Sequence, residues 1–151
     1  MTAPDFWNGF TEIFNGKISM KVRTKSAEET REYGKKLAKK IAGGGVVCLY
    51  GDLGAGKTTL VQGVAEGLGI KRRMVSPTFI VVRKYDRLWH IDLYRVPGGE
   101  GLGLEDVFSD NKNIILIEWP EGIVEMLPKH YFEVRIKLIS PDEREIDETI
   151  H

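Results

Sequence analysis

Hydrophobic and polar positions follow two rhythms along this chain, and the changes of rhythm mark its elements. After Ser26, the positions Thr30, Tyr33, Leu37, Ala38 and Ile41 recur at helical spacing. Ser26-Ala27-Glu28-Glu29 opens that stretch as a capping box, with Ser26 capping the first turn and Glu29 reaching back to it. Gly43-Gly44-Gly45 ends it. The run Val46-Val47-Cys48-Leu49-Tyr50 is apolar throughout, as a strand buried on both faces must be. A second helical pattern follows at Leu60, Val61, Val64, Ala65 and Leu68. Residues 80–85 and 88–94 read as strands, and the short Asp86-Arg87 link makes them an antiparallel hairpin. A Pro- and Gly-rich loop over 96–103 leads to a turn or two of helix at 104–108. Ile114 to Ile117 is again wholly apolar and ends in Glu118, and Pro120 then opens a short helix. Two strands, 131–139 and 144–150, close the chain around the turn Ser140-Pro141-Asp142. This order predicts an α/β fold, a mixed sheet with helices on both faces in three α/β/α layers.

Residues 1–19 stand apart. Phe6, Trp7, Phe10, Ile13 and Phe14 are spaced to make one helical face apolar, so this stretch reads as an N-terminal extension of unassigned role. Residues 20–151 read as one domain, large enough for a core but too small for a second unit. Lys+Arg and Asp+Glu are both 22, so overall charge does not predict nucleic-acid binding. Lys35-Lys36 with Lys39-Lys40 reads as a solvated helix face, and Lys71-Arg72-Arg73 as a local basic cluster. The single cysteine, Cys48, lies in an apolar strand as a small buried hydrophobe and excludes an internal disulfide. No apolar run approaches the roughly 18 residues of a membrane span, and no secretory signal pattern is present. The expectation is a soluble, cytoplasmic protein.

The chemistry concentrates between the first buried strand and the helix after it. Gly51-Asp52-Leu53-Gly54-Ala55-Gly56-Lys57-Thr58 is G-x-x-x-x-G-K-T in its strand–loop–helix context, the Walker A or P-loop pattern. Gly51, Gly54 and Gly56 are expected to give the backbone conformations that aim successive N–H groups at phosphate oxygens. The helix adds its unsatisfied N–H groups and the positive end of its dipole. Nucleotide contacts are expected over Asp52, Leu53, Gly54, Ala55, Gly56, Lys57, Thr58 and Thr59. Lys57 supplies charge to the β- and γ-phosphates, and the Thr58 hydroxyl is placed to ligate Mg²⁺. ATP and Mg²⁺ are the implied cofactors.

Magnesium at such a site needs a carboxylate from a neighbouring strand. Glu118 ends a buried run, and Asp92 is an acid within an otherwise apolar strand, where burial without a cation or hydrogen bonds is costly. Thr78, in Ser76-Pro77-Thr78-Phe79, fits either a switch threonine that senses Mg²⁺ and the γ-phosphate or a Pro-stiffened turn. His90 and Trp119 read as scaffold, and Arg95 as a surface ion pair rather than a transition-state contact. The guanine-specific N-K-x-D and the transporter S-G-G-Q motifs are absent. Two competing functions remain: a small-molecule kinase, and a nucleotide-regulated binding module without significant turnover. The first is weakened by the lack of Arg or Lys in 97–103, and the second by the presence of Asp92 and Glu118.

Four motifs in one order carry a more specific resemblance: G-D-L-G-A-G-K-T-T, Ser76 to Phe79, His90-Ile91-Asp92-Leu93-Tyr94-Arg95 and Ile117-Glu118-Trp119-Pro120-Glu121. Over roughly residues 20–150 the chain resembles the bacterial TsaE (YjeE) ATPases, which serve the synthesis of N6-threonylcarbamoyladenosine at position 37 of tRNA. The resemblance implies a P-loop NTPase-like fold. It also implies that Thr78 acts as a switch I residue, Asp92 as a switch II acid needed for hydrolysis, and Glu118 as the Mg²⁺ acid in place of a Walker B Asp. Trp119 would lie close to the nucleotide. It further implies an accessory ATPase that docks on the TsaB–TsaD complex, hydrolyses ATP slowly when alone, and meets tRNA only indirectly.

Overall fold

In the computed structural model, which describes residues 11–71 and 81–151, the strand-forming runs join in one eight-stranded mixed sheet. The strands are β1 (Thr11–Phe14), β2 (Lys17–Thr24), β3 (Gly45–Tyr50), β4 (Val82–Tyr85), β5 (Leu88–Asp92), β6 (Ile114–Glu118), β7 (Phe132–Leu138) and β8 (Arg144–Ile150). Their spatial order is β1-β2-β8-β7-β3-β6-β5-β4. The central strands β7, β3, β6 and β5 run parallel, and antiparallel hairpins finish both edges. The parallel strands therefore share one carboxyl end, where open α/β sheets bind their ligands.

The helices are α1 (Ala27–Ile41), α2 (Lys57–Gly67) and α3 (Leu104–Ser109), with a 3₁₀ segment at Pro120–Met126. Side chains of β3 and β6 alternate between two cores. Val47, Leu49, Ile114 and Leu116 join Leu37, Ile41, Leu60 and Val64 under α1 and α2. Val46, Cys48, Ile115 and Ile117 join Leu104, Val107 and Ile123 under α3 and the 3₁₀ segment. Both faces are thus covered, as the apolar runs of β3 and β6 require. The two long helices approach closely at glycines: a Cβ on Gly34 would lie 2.3 Å from the Leu60 carbonyl oxygen, and one on Gly63 would lie 2.1 Å from that of Arg31. Across the sheet, buried Glu148 of β8 accepts from Tyr33 Oη at 2.6 Å and from Lys40 Nζ at 2.7 Å, tying α1 to the last strand. Burial, reinforced by Glu148, pushes the Tyr33 hydroxyl pKa well above its ordinary value.

Several local expectations need correction. Residues 11–14 form a strand, not part of a helix, because Asn15 and Gly16 take positive φ angles (51° and 75°) and turn the chain into a hairpin with β2. Asn-Gly between two strand-forming runs is the stronger signal, and it overrides the helical spacing. β2 runs without a break through positions 19 and 20, while Phe6, Trp7 and Phe10 lie outside the described residues. The Ser26 Oγ accepts from Glu29 N–H at 3.1 Å as expected, but the Glu29 carboxylate takes the N–H of Lys25 rather than that of Ser26. Strand β5 stops at Asp92, two residues early, because the Asp92 side chain accepts from Tyr94 N–H at 2.9 Å and turns the chain out of the sheet.

Candidate functional site at the carboxyl end of the sheet

Strand β3 is the central hinge of the site: it ends at Tyr50 and delivers loop 51–56 directly to the N-terminus of α2. Gly54 (φ 80°) and Gly56 (φ 107°) occupy left-handed backbone that favours glycine, as expected. Gly51 does not, and its reason is different. A Cβ there would meet Ile136 Cγ2 and the Ile136 carbonyl oxygen, both at 2.8 Å, so Gly51 is required by close packing against β7. From the far side, Arg144 holds the loop. Its Nε donates to the Ala55 carbonyl at 2.7 Å, while Nη1 donates to the carbonyls of Ser140 and Pro141. Sequence reasoning missed this residue, because nothing local marks a contact between positions 89 residues apart.

Lys57, first in α2, is only 7% exposed, and among the described residues its Nζ has no hydrogen-bond partner. The ammonium sits 4.0 Å from the centre of the Trp119 ring. Burial lowers its pKa, while Glu118 and Asp92, the leading acids among its neighbours, pull the other way. A buried cation without a hydrogen-bond acceptor is expensive, and the loop around it fits the oxygens of a phosphate chain. Thr58 follows with its side chain exposed, Thr59 is half-buried, and Asp52 and Leu53 are exposed at the loop's tip.

The two acids come together. Asp92 on β5 and Glu118 on β6 are direct register partners. Glu118 is buried and Asp92 half-buried, and burial raises the Asp92 carboxyl pKa ahead of the opposing hydrogen bond from Tyr94. His90, two residues before Asp92 on the same strand, lies against Glu118, with Nε2 to Oε2 at 2.7 Å. Trp119 departs from β6 in left-handed backbone (φ 57°), a cost of about 1–2 kcal/mol for a residue with a Cβ. It also packs on Tyr94, with ring centres 5.1 Å apart. Thr78 lies outside the described residues. Among the described residues, no three His, Cys, Asp or Glu side chains converge as a metal cage.

Beside the loop opens a cavity of about 560 Å³, bordered by Tyr50, Leu53, Trp119, Glu121, Arg135 and Leu138. Arg135 lies across the Tyr50 ring, 4.1 Å from its centre. Among the described residues no helix is long and apolar enough to cross a membrane.

Comparison with known proteins gives concordant results. The family model described as "Threonylcarbamoyl adenosine biosynthesis protein TsaE" matches residues 24–146. The Bacillus subtilis tRNA threonylcarbamoyladenosine biosynthesis protein TsaE is 43% identical over 132 residues, covering 84% of this chain and 83% of its own. The Streptomyces coelicolor protein of the same description is 43% identical over 116 residues, covering 70% and 77%. The crystal structure of Bacillus subtilis YdiB superposes with a TM-score of 0.72 at 36% identity, covering 93% of this chain and 86% of that one.

Proposed function

This chain belongs to the TsaE family of threonylcarbamoyladenosine biosynthesis proteins, and from that premise we propose that it is a Mg²⁺-dependent ATPase that assists the modification of tRNA adenosine 37 by acting on the TsaB–TsaD complex. One observation carries the reading: a buried Lys57 ammonium without a hydrogen-bond partner among the described residues, at the mouth of a glycine loop, with the Glu118 and Asp92 carboxylates beside it. That is the constellation of a P-loop nucleotide site.

In this reading loop 52–56 binds the phosphates through its backbone N–H groups, and Lys57 neutralises the β- and γ-phosphates. Mg²⁺, when bound, withdraws charge from the phosphate oxygens and steadies the leaving group. Thr58 and Glu118 are the residues that would hold it. Asp92, with its carboxyl pKa raised and its Oδ1 fixed by the Tyr94 N–H, orients the attacking water. Trp119 closes the side of the site, as its contact with Lys57 suits it to do. Exposed Leu53, Tyr94 and Leu138 gather at the same end of the molecule, which favours a partner surface over this site.

The test is ATP binding by calorimetry and phosphate release, each with and without Mg²⁺. ATP binding that Mg²⁺ strengthens, and slow release that requires the metal, are expected. Absence of ATP binding would remove the proposal. The cavity beside the loop favours one competing reading, phosphoryl transfer to a small acceptor. ADP release stimulated by a member of a small-molecule panel, rather than by TsaB–TsaD, would select it.

A further inference from the structure

His90 and Glu118 form a pair that neither the loop nor the partner reading uses. His90 stands opposite Leu116 on the neighbouring strand, and Asp92 stands opposite Glu118, so the imidazole reaches the carboxylate diagonally across the β5–β6 ladder. Both side chains are shut away from solvent, with residue exposures of 2% and 5%, and Nε2 lies 2.7 Å from Oε2. With Glu118 as a carboxylate, which only accepts hydrogen bonds, the imidazole is the donor of this contact. The distance is that of a charge-assisted hydrogen bond. The other imidazole nitrogen, Nδ1, is buried without a hydrogen-bond partner among the described residues. The ring is therefore held in this contact from one side only, with Glu118 as its polar anchor. Oε2 of Glu118 is engaged by His90, and among the described residues Oε1 has no hydrogen-bond partner.

We infer that His90 is a positioning residue for Glu118: its Nε2–H fixes one carboxylate oxygen, so that the other is presented in a single orientation toward Mg²⁺. This inference rests on the ATPase reading above and deepens it. The physical reason is the buried setting. A glutamate has three side-chain torsions, and a carboxylate with no anchor in a closed site turns toward a neighbouring cation such as Lys57, which its charge already acts on. An anchor on one oxygen keeps Glu118 from collapsing onto Lys57 and leaves that ammonium for phosphate. Hydrogen-bonded partners behind a metal-binding side chain are worth about 10–100-fold in metal affinity.

The experiment uses the full chain and the non-hydrolysed nucleotide AMP-PNP, with binding followed by calorimetry across a Mg²⁺ series. His90→Leu is expected to raise the half-saturating Mg²⁺ concentration by about 10–100-fold while leaving Mg²⁺-free nucleotide affinity at the wild-type value. His90→Gln, whose amide N–H extends to about the place of Nε2, is expected to recover most of the loss. In a Glu118→Gln background, His90→Leu should add nothing further. Because His90→Leu empties a buried site and the variant can fail to fold, ¹⁵N NMR of the wild-type imidazole supplies an independent readout: the proton should be on Nε2. An Nε2 without a proton overturns the inference, as does a pair of folded Leu and Gln variants with the same Mg²⁺ dependence. A wild-type protein whose AMP-PNP binding ignores Mg²⁺ overturns the ATPase reading itself. That failure shows before any variant is made.

Discussion

Lys57 reconciles burial with charge by lying on the face of Trp119, where the ring quadrupole replaces part of the lost hydration. In the nucleotide reading that contact is a resting position. Lys57→Ala should therefore weaken ATP binding by about 2–4 kcal/mol and leave adenosine binding almost unchanged. Calorimetry with both ligands checks this, and equal losses for the two would place Lys57 outside the phosphate site. Asp92 shows the opposite balance between stability and use. Its raised pKa means that the folded protein holds this proton more tightly than the unfolded chain does. The contribution to stability is thus present below the ordinary carboxylate pKa and is lost as pH rises through the raised value. Asp92→Asn keeps the acceptor for Tyr94 N–H and removes the charge, so it should raise Tm by about 2 °C at pH 7. That gain should fade as the pH falls toward about 4, while ATP turnover drops sharply at every pH. A Tm difference that does not vary with pH would contradict the assignment.

At the scale of elements, the β7–β8 hairpin is as much a part of the site as the loop it touches. Arg144 binds the turn at 140–143 and the Ala55 carbonyl with one guanidinium, so the hairpin sets the height of the loop above the sheet. Arg144→Met keeps the aliphatic stem and removes these bonds. It should cost about 2 kcal/mol in urea unfolding and weaken ATP about 10-fold. A variant that loses stability but keeps its ATP affinity would confine Arg144 to the hairpin. The contact also shows what was legible in the sequence. β3, α2, β6 and the β4–β5 hairpin follow from local periodicity and turn residues, since each element buries the face its own pattern supplies. The pairing of Asp92 with Glu118 was legible only as one acid within an apolar strand and another ending one; their juxtaposition is a matter of register. Arg144 and His90 act through contacts with distant parts of the chain, and no period or motif encodes those. The β1–β2 hairpin was missed for another reason: its Asn15-Gly16 signal was present, but aromatic residues at helical spacing masked it.

For the molecule as a whole, the decisive feature is that every element of the site opens at one end of the sheet. The glycine loop, Asp92, Glu118 and Trp119 all follow the carboxyl ends of parallel strands, and exposed Leu53, Tyr94 and Leu138 lie at that same end. Apolar side chains at the mouth of a charged site suit a partner that covers it and excludes water. Arg144 acts from behind the loop and Arg135 is engaged by Glu133 and Tyr50, so neither is held as an arginine aimed at the γ-phosphate. P-loop hydrolases without such a group turn over at roughly 10⁻⁴ to 10⁻² per second, and a supplied arginine adds about 10³-fold or more. The isolated protein is therefore expected to release phosphate in that slow range, and the TsaB–TsaD pair to accelerate it. Replacing Leu138 by Ser should reduce the acceleration while leaving the slow rate intact, because this exposed side chain ends β7, outside the loop that holds the phosphates. Steady-state phosphate release, measured alone and with the pair, checks both expectations. A rate of about ten per second in isolation, far above that slow range and indifferent to TsaB–TsaD, would overturn the slow-switch mechanism and the proposed partner together.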